Sequence, residues 1–199
     1  KLFRNLLSEP WQINLLVIAL AEFLAIVGFS LYLPFLPLLI QKLGNMGSDE
    51  AAFWSGIANG GAGLAMFISA PLWGIIADRW GRKPMLLRAQ FGAVLIVILF
   101  IFAPNIYSLV GLRILQGLFT GTVGAAAALV ASVTPRNKIA QSMGILMAGV
   151  FIGQTIGPSL GGILAGTLGY TVTFIVAACF LLSGGLIILF FTRETFQRL

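Results

Sequence analysis

The chain has 199 residues, of which 59% are apolar and 9% are charged, and its mean hydropathy is +1.02. A soluble domain carries about 25% charged residues, so this composition excludes an ordinary soluble enzyme and predicts an integral membrane protein. The formal net charge of +6 does not indicate nucleic-acid binding, because so apolar a chain has no solvated face for a basic patch. With no His and a single Cys179 inside an apolar run, we expect no metal, no cofactor and no disulfide.

Six apolar runs are long enough to cross a membrane, which requires about 20 residues for a helix. Backbone groups in lipid must be hydrogen-bonded within the protein, and the runs lack the alternation of barrel strands, so each run is predicted to be a helix. The predicted fold class is therefore an all-α membrane protein with six transmembrane helices. In chain order the runs cover residues 13–40, 53–77, 85–103, 108–133, 139–167 and 170–192.

The first run contains Glu22 near its middle and two prolines, Pro34 and Pro37, near its far end. The prolines predict a kink or a broken helix there. An ionisable group at the depth of Glu22 costs at least about 2.5–3.5 kcal/mol and indicates a functional site. Two interpretations stay open: Glu22 is a structural partner of Arg113 or of a backbone group, or it faces a central cavity and binds and releases a proton.

The connection between the second and third runs is short, basic and rich in glycine. Gly81 suits a tight turn, and the charged side chains can make charge-assisted hydrogen bonds to neighbouring helix ends. Such a segment could latch one conformation of a moving bundle, or it could serve only to set the topology. Its candidate gate residues are Gly74, Asp78, Arg79, Gly81, Arg82 and Lys83.

The fourth run carries a polar stripe formed by Arg113, Gln116 and Thr120, at positions i, i+3 and i+7. We expect this stripe to face the bundle interior or a water-filled cavity. Arg113 is either a packing anchor paired with backbone carbonyls or a participant in proton coupling or substrate handling. Asn59 and Gln154 are further cavity candidates, although a lone amide in a membrane helix also serves to join helices.

The distribution of Lys and Arg predicts the orientation of the bundle. With a cytoplasmic N-terminus, ten of the twelve basic residues lie on the cytoplasmic side, Lys42 alone lies outside, and Arg113 lies within a span. We therefore expect a multi-pass protein of the cell (inner) membrane in which both termini of this segment are cytoplasmic. The cytoplasmic set is Lys1, Arg4, Arg79, Arg82, Lys83, Arg88, Arg136, Lys138, Arg193 and Arg198.

These residues resemble signature motifs of the major facilitator superfamily, and more closely those of its twelve-span drug:proton antiporters. The loop at 74–83 resembles the family's motif between helices two and three, and Arg113, Gln116 and Gly117 resemble its fourth-helix Arg-x-x-Gln-Gly pattern. The fifth run is similar to the antiporter signature at Gly144, Gly153, Gly157, Pro158, Gly161 and Gly162. Further matches lie at Gly28, Pro34, Pro37 and the pair Glu194 and Thr195.

The resemblance implies a secondary active transporter that exports lipophilic or cationic drugs in exchange for protons by alternating access, with antibiotic resistance as a consequence. It implies that the loop at 74–83 gates the cytoplasmic side and that Arg113 takes part in proton coupling. It also implies that the fifth-helix glycines kink and seal the interface between two halves. Some members carry a membrane acid at the position of Glu22, used for protonation or for recognition of cationic substrates.

The resemblance further implies that the chain is the N-terminal six-helix half of a transporter, built from two inverted three-helix repeats. The expected partners are a small lipophilic substrate, protons, the lipid bilayer, and either the missing C-terminal half or a second copy of the chain. We expect residues 1–199 not to transport by themselves unless they dimerise, because alternating access needs two surfaces that rock against each other.

Other functions are also compatible with the sequence. The same machinery could export or exchange a lipid, a sugar or another metabolite, because these motifs do not specify the substrate. A non-transporting assembly module would explain the helices but not a membrane-embedded Glu and Arg together with the loop at 74–83. An enzyme is not expected, since the spans contain no His and no acid pair suited to acid–base catalysis.

Overall fold

The computed structural model describes residues 9–192. Within this range the chain is helical, and six segments are long and apolar enough to cross a membrane. This result confirms the predicted fold class. The basic residues Lys1, Arg4, Arg193 and Arg198 and the pair Glu194 and Thr195 lie outside the described residues.

The six spans are built from eight α-helices within residues 9–192. The first span contains α1 (Pro10–Tyr32) and α2 (Leu36–Gly44), and the second is α3 (Ser48–Trp80). The third is α4 (Arg82–Ile101), and the fourth contains α5 (Ile106–Phe119) and α6 (Thr122–Val133). The fifth is α7 (Ile139–Thr167), which follows a 3-10 turn at Arg136–Lys138, and the sixth is α8 (Gly169–Phe191).

The first span is interrupted where its prolines predict a kink. A 3-10 turn at Leu33–Phe35 joins α1 to α2. Pro34 and Pro37 each occupy one of the first two positions of a helical segment, where proline is best tolerated. The prolines therefore lie at the point where the span is interrupted.

The second span begins five residues before its apolar run, at Ser48 instead of residue 53. The first turn contains Asp49 and Glu50, both exposed. Acidic side chains at a helix N-terminus interact favourably with its partial positive charge. The helix therefore continues into polar sequence that hydropathy alone assigns to a loop.

The fourth span is not the continuous helix that its apolar run predicts. α5 ends at Phe119 and α6 begins at Thr122. Gly121, between the two, has a φ of +115°, which residues with a side chain rarely adopt. The break therefore depends on this glycine, and it divides the span at membrane depth.

The packing of the spans follows the symmetry of an inverted repeat. The first span packs most extensively against the fifth and sixth, the second against the fourth, and the third against the sixth. Exchanging spans one to three with spans four to six converts the first–fifth pair into the fourth–second pair. The same exchange returns the third–sixth pair to itself, as expected for two inverted repeats.

The close approach of the first and fifth spans depends on glycines at every fourth position of α7. A Cβ at Gly157 would lie 3.0 Å from the carbonyl oxygen of Val27, and a Cβ at Gly161 would collide with the backbone of Leu31. Gly153 is buried against the same face of the first span. This spacing is the small-xxx-small pattern of closely packed membrane helices.

The structure shows what the glycines of the fifth-helix motif contact within this bundle. Gly153, Gly157 and Gly161 are covered by the first span. Gly162 lies near the ring of Phe35, again in the first span, and the surroundings of Gly144 are open. Pro158 lies inside the continuous helix α7. The kink of this helix and its sealing of an interface between two halves stay predictions.

Candidate transport site

A cavity of about 760 Å³ lies between the first five spans. Ile26 and Phe29 of the first span, Met66 of the second and Met85 of the third contribute to a largely apolar wall. Pockets for drug-sized molecules measure roughly 300–1,000 Å³ and are lined mainly by apolar groups with a few placed polar ones. The cavity therefore has the size and lining of a small-molecule site.

Arg113 joins three spans through a chain of hydrogen bonds. Its guanidinium donates to Oδ1 of Asn59, from Nη2 over 3.0 Å and from Nε over 3.3 Å, and to Oε1 of Gln116. Gln116 Nε2 in turn donates to the hydroxyl of Tyr32 over 2.6 Å. Neutral oxygens therefore accept the N–H groups of Arg113, and the pairing with Glu22 that the sequence left open is not formed.

The structure brings most of the predicted cavity candidates together. Arg113, Gln116, Thr120 and Gln154 line the cavity, and the Thr120 hydroxyl donates to the Gln116 carbonyl over 2.7 Å at the end of α5. Asn59 is exposed on the second span and is not part of the cavity wall. Asn59 contributes to the site by accepting hydrogen bonds from Arg113.

Glu22 lies behind the cavity wall and does not face the cavity directly. The side chain is fully buried, and its Oε1 accepts a hydrogen bond from the Thr122 hydroxyl over 2.7 Å. Thr122 itself lines the cavity. The second carboxyl oxygen, Oε2, has no hydrogen-bond partner among residues 9–192. One side chain therefore separates the carboxyl group from the cavity.

The break in the fourth span places Thr122 at this point, as the first residue of α6. Sequence reasoning missed both Thr122 and Tyr32, because single hydroxyl groups are common in membrane helices and have many packing roles. The feature of the sequence that could have indicated the break is Gly121, which lies between Thr120 and Thr122. Glycine can adopt a positive φ, and Gly121 does so here.

Trp73 of the second span replaces a backbone hydrogen bond that is lost at the break in the fourth span. In a continuous helix the carbonyl of Leu118 would accept the N–H of Thr122. Here the indole Nε1 of Trp73 donates to that carbonyl over 2.7 Å. The indole also packs against Phe119, with ring centroids 6.2 Å apart. A side chain of a neighbouring helix thus supplies the hydrogen bond that backbone at membrane depth requires.

Arg88 lies within a membrane span, although counting basic residues assigns it to the cytoplasmic connections. It belongs to the third span, six residues after Arg82. It is half-buried and lines the cavity, and its guanidinium carbon stands 3.5 Å from the centre of the Trp73 ring. Arg88 is therefore a cavity residue that the sequence did not reveal.

Residues 74–83, which the sequence predicts to be a loop, form the end of α3 and the start of α4, and their side chains join three spans. Gly81, with a φ of +99°, is the single residue between α3 and α4. Arg82 Nη1 donates to the Ala128 carbonyl over 2.6 Å, and Lys83 Nζ donates to the carbonyls of Leu189 and Thr192 over 2.9 and 2.7 Å. The third span is thus tied to the fourth and to the end of the sixth.

The remaining residues of the loop have different environments. Gly74 lines the cavity, whereas Asp78 and Arg79 are exposed. The expected hydrogen bonds to neighbouring helices are thus present for Arg82 and Lys83. The gating role of the loop stays a prediction.

Replacing Trp73 with Phe is expected to destabilise the protein by about 0.5–1.5 kcal/mol, because the part-buried Leu118 carbonyl loses its donor while an aromatic ring is kept. Thermal unfolding of the purified protein in detergent measures this change. Trp80→Phe is the matched control, since Trp80 is 73% exposed. Equal unfolding temperatures for the two variants would show that the indole does not support the break.

Residues 18–198 match the profile of the Major Facilitator Superfamily. The chain therefore belongs to this family of membrane transporters, as the motifs at 74–83 and in the fourth and fifth spans indicate. The human organic anion transporter MFSD10 (TETRAN) shares the fold, with a TM-score of 0.83 at 23% identity. That superposition covers 96% of this chain and 49% of MFSD10.

Relatives with higher sequence identity are bacterial. The multi-drug resistance efflux pump PmrA of Streptococcus pneumoniae is 37% identical over 187 residues, and the multidrug resistance protein MdtG of Citrobacter koseri is 43% identical over 187 residues. Each alignment covers 94% of this chain, but only 47% of PmrA and 46% of MdtG. The chain thus spans about half the length of these relatives.

Proposed function

We propose that the chain forms one half of a transporter that exports lipophilic solutes across the cell membrane in exchange for protons, by alternating access. The observation that carries the proposal is the position of Glu22, a fully buried carboxyl group joined through Thr122 to the wall of a drug-sized cavity. The relatives PmrA and MdtG, whose names refer to multidrug efflux and resistance, support the solute class.

Glu22 is the proposed proton-binding residue. A charged carboxylate near the bilayer centre costs at least about 2.5 kcal/mol, and only one of its two oxygens is hydrogen-bonded within residues 9–192. A proton bound to Glu22 removes this charge. Thr122 gives the proton a route, because its hydroxyl contacts the carboxyl group and Thr122 itself lines the cavity.

Arg113 and the loop at 74–83 take supporting roles in the proposal. The chain from Asn59 through Arg113 and Gln116 to Tyr32 holds the outer part of the cavity by joining three spans. The proposed orientation keeps both ends of this segment cytoplasmic. The contacts of Arg82 and Lys83 then latch the cytoplasmic ends of the spans in one state of the cycle and open in the other.

The apolar wall of the cavity suits lipophilic solutes, whereas the charge of the wall does not favour cationic ones. The charged side chains that line it within residues 9–192 are arginines. A cationic solute would therefore need a countercharge from Glu22 after Thr122 has moved, or from the remainder of the protein.

The proposal is tested by efflux of the neutral dye Nile red from cells that express the complete protein. We expect faster efflux than from cells with empty vector, and we expect a protonophore to abolish the difference, because it removes the driving force. Efflux that continues unchanged after the protonophore would contradict proton coupling. Equal efflux from both cell lines would contradict export of this solute class.

A further inference from the structure

We propose that the cavity binds solutes that carry an acidic group, and that Arg88, seated on Trp73, receives this group. The inference rests on the proposed transport function and specifies its substrate class. The preferred solute is an amphipathic organic anion with a carboxylate, sulfonate or phosphate attached to an apolar body.

The charge of the cavity wall favours an anion. Arg82, Arg88 and Arg113 line the cavity, and no Asp or Glu lines it among the described residues. Glu22, whose carboxyl group accepts a hydrogen bond from the lining residue Thr122, is itself fully buried. An anion in the cavity therefore meets guanidinium groups and does not contact a carboxylate in the wall.

Arg88 differs from the other two arginines in its hydrogen bonding. Arg82 donates to the Ala128 carbonyl, and Arg113 donates to Asn59 and Gln116. By contrast, Nε and Nη1 of Arg88 are buried and have no acceptor within residues 9–192. A buried N–H group without an acceptor is destabilising unless an anion or another oxygen pairs with it. Arg88 thus lacks the partner that an acidic solute would supply.

The contact with Trp73 uses the face of the Arg88 guanidinium and none of its N–H donors. The indole covers one face of the guanidinium at 3.5 Å, which is a cation–π contact. The N–H donors of a guanidinium point outward in its plane and match the two oxygens of a carboxylate or phosphate. The ring therefore orients the group without using its donors, at a residue that lines the cavity.

The support behind Arg88 is itself fixed, so the site is preorganised. Trp73 is held by its hydrogen bond to the Leu118 carbonyl and by its packing against Phe119. Holding a binding group in place before the ligand arrives reduces the entropy lost on binding. The cavity of about 760 Å³ leaves room for the apolar body of the solute beside Phe29 and Met66.

Two probes with the same apolar body test the inference: 1-pyrenebutyrate, which is anionic, and 1-pyrenebutanol, which is neutral. Their Kd values are measured by fluorescence titration of the complete protein in detergent. We expect the wild type to prefer the butyrate, and Arg88→Gln to weaken butyrate binding about 10–100-fold through loss of a charge-assisted hydrogen bond. Butanol binding should be unchanged, and Arg88→Lys should give an intermediate loss.

Arg136→Gln is the matched control, because Arg136 is exposed on the turn before the fifth span. It should leave both Kd values unchanged. Equal weakening of both probes by Arg88→Gln would overturn the inference, since it would assign Arg88 to the structure or to an acidic side chain elsewhere in the protein. The inference would also be overturned if the wild type bound the two probes with equal affinity or bound neither. That result needs only the wild-type protein.

The Nile red assay separates this inference from the proposed function. If the wild type exports Nile red but does not prefer the butyrate, the inference fails and the proposed function stands. If the wild type prefers the butyrate through Arg88 but moves no solute against a gradient, the anion site stands and the proposed function fails.

Discussion

Replacing Glu22 with Gln in the complete protein is expected to abolish proton-driven accumulation of solute while the protein still folds and reaches the membrane. The Gln side-chain oxygen can accept the Thr122 hydroxyl as Glu22 Oε1 does, so the buried contact is kept and the proton site is lost. For a neutral solute exchanged for one proton, the coupling supplies about 2.3 kcal/mol per 100 mV of membrane potential. The steady-state solute gradient should therefore fall about 50-fold at roughly 100 mV.

The measurement is the solute ratio across proteoliposome membranes under an imposed proton gradient. Glu50→Gln is the matched control, because Glu50 is exposed in the first turn of α3. Glu22→Asp keeps an acid at the site and should retain part of the gradient. A gradient in Glu22→Gln equal to that of the wild type would remove Glu22 from the coupling mechanism.

Replacing Gly161 with Ala is expected to destabilise the protein by about 1–3 kcal/mol through overpacking. The added Cβ would collide with the backbone of Leu31, which cannot turn away as a flexible side chain can. Gly117→Ala should behave alike, because its Cβ would meet the backbone of Ala62 in the second span. Unfolding of the purified protein in detergent, by heat or by titration with a denaturing detergent, measures both changes.

Gly144→Ala controls for the general effect of alanine in a membrane helix. No atom lies within 4 Å of a Cβ built at Gly144, although it belongs to the same motif and the same helix as Gly161. This variant should keep the wild-type stability. Equal stability of Gly144→Ala and Gly161→Ala would show that the first and fifth spans do not depend on glycine for their approach.

The number and order of the spans are readable from the sequence, because lipid leaves an apolar run of sufficient length few alternatives to a helix. The proline interruption in the first span is readable for a similarly local reason, the missing N–H of Pro34 and Pro37. The break before Thr122 is not readable from hydropathy, since Gly121 lies among other small residues in an apolar run. The structure shows the break through the positive φ of Gly121 and the hydrogen bond from Trp73 to the Leu118 carbonyl.

Part of the candidate site also follows from local geometry. Arg113, Gln116 and Thr120 share one face because their spacing matches the helical repeat, and all of them line the cavity. Their partners come from other spans, and helical periodicity carries no information about contacts between helices. The sequence offers Asn59 only as a cavity candidate, and its role as the acceptor for Arg113 is found in the folded chain, as is the contribution of the buried Tyr32.

Arg88 shows how charge counting fails at the end of a span. It follows Arg82 and Lys83 closely, so it counts as one of the cytoplasmic positive charges. Within the folded chain, α4 starts at Arg82, and Arg88 lies further along the helix against Trp73. A stacked indole from the second span accommodates the charge there, and the sequence of the third span alone does not show that contact.

In the proposed transport cycle, solute and proton cross the membrane in opposite directions, and Glu22 carries the proton. Proteoliposomes that contain the complete protein and a trapped pH-sensitive dye test this exchange directly, with 1-pyrenebutanol added on one side and no initial pH difference. We expect the solute gradient to drive protons the opposite way, so that the lumenal pH changes more than in protein-free liposomes, and we expect Glu22→Gln to remove the difference. Protein-dependent solute movement without any pH change, or the same pH change in Glu22→Gln as in the wild type, would contradict proton exchange through Glu22.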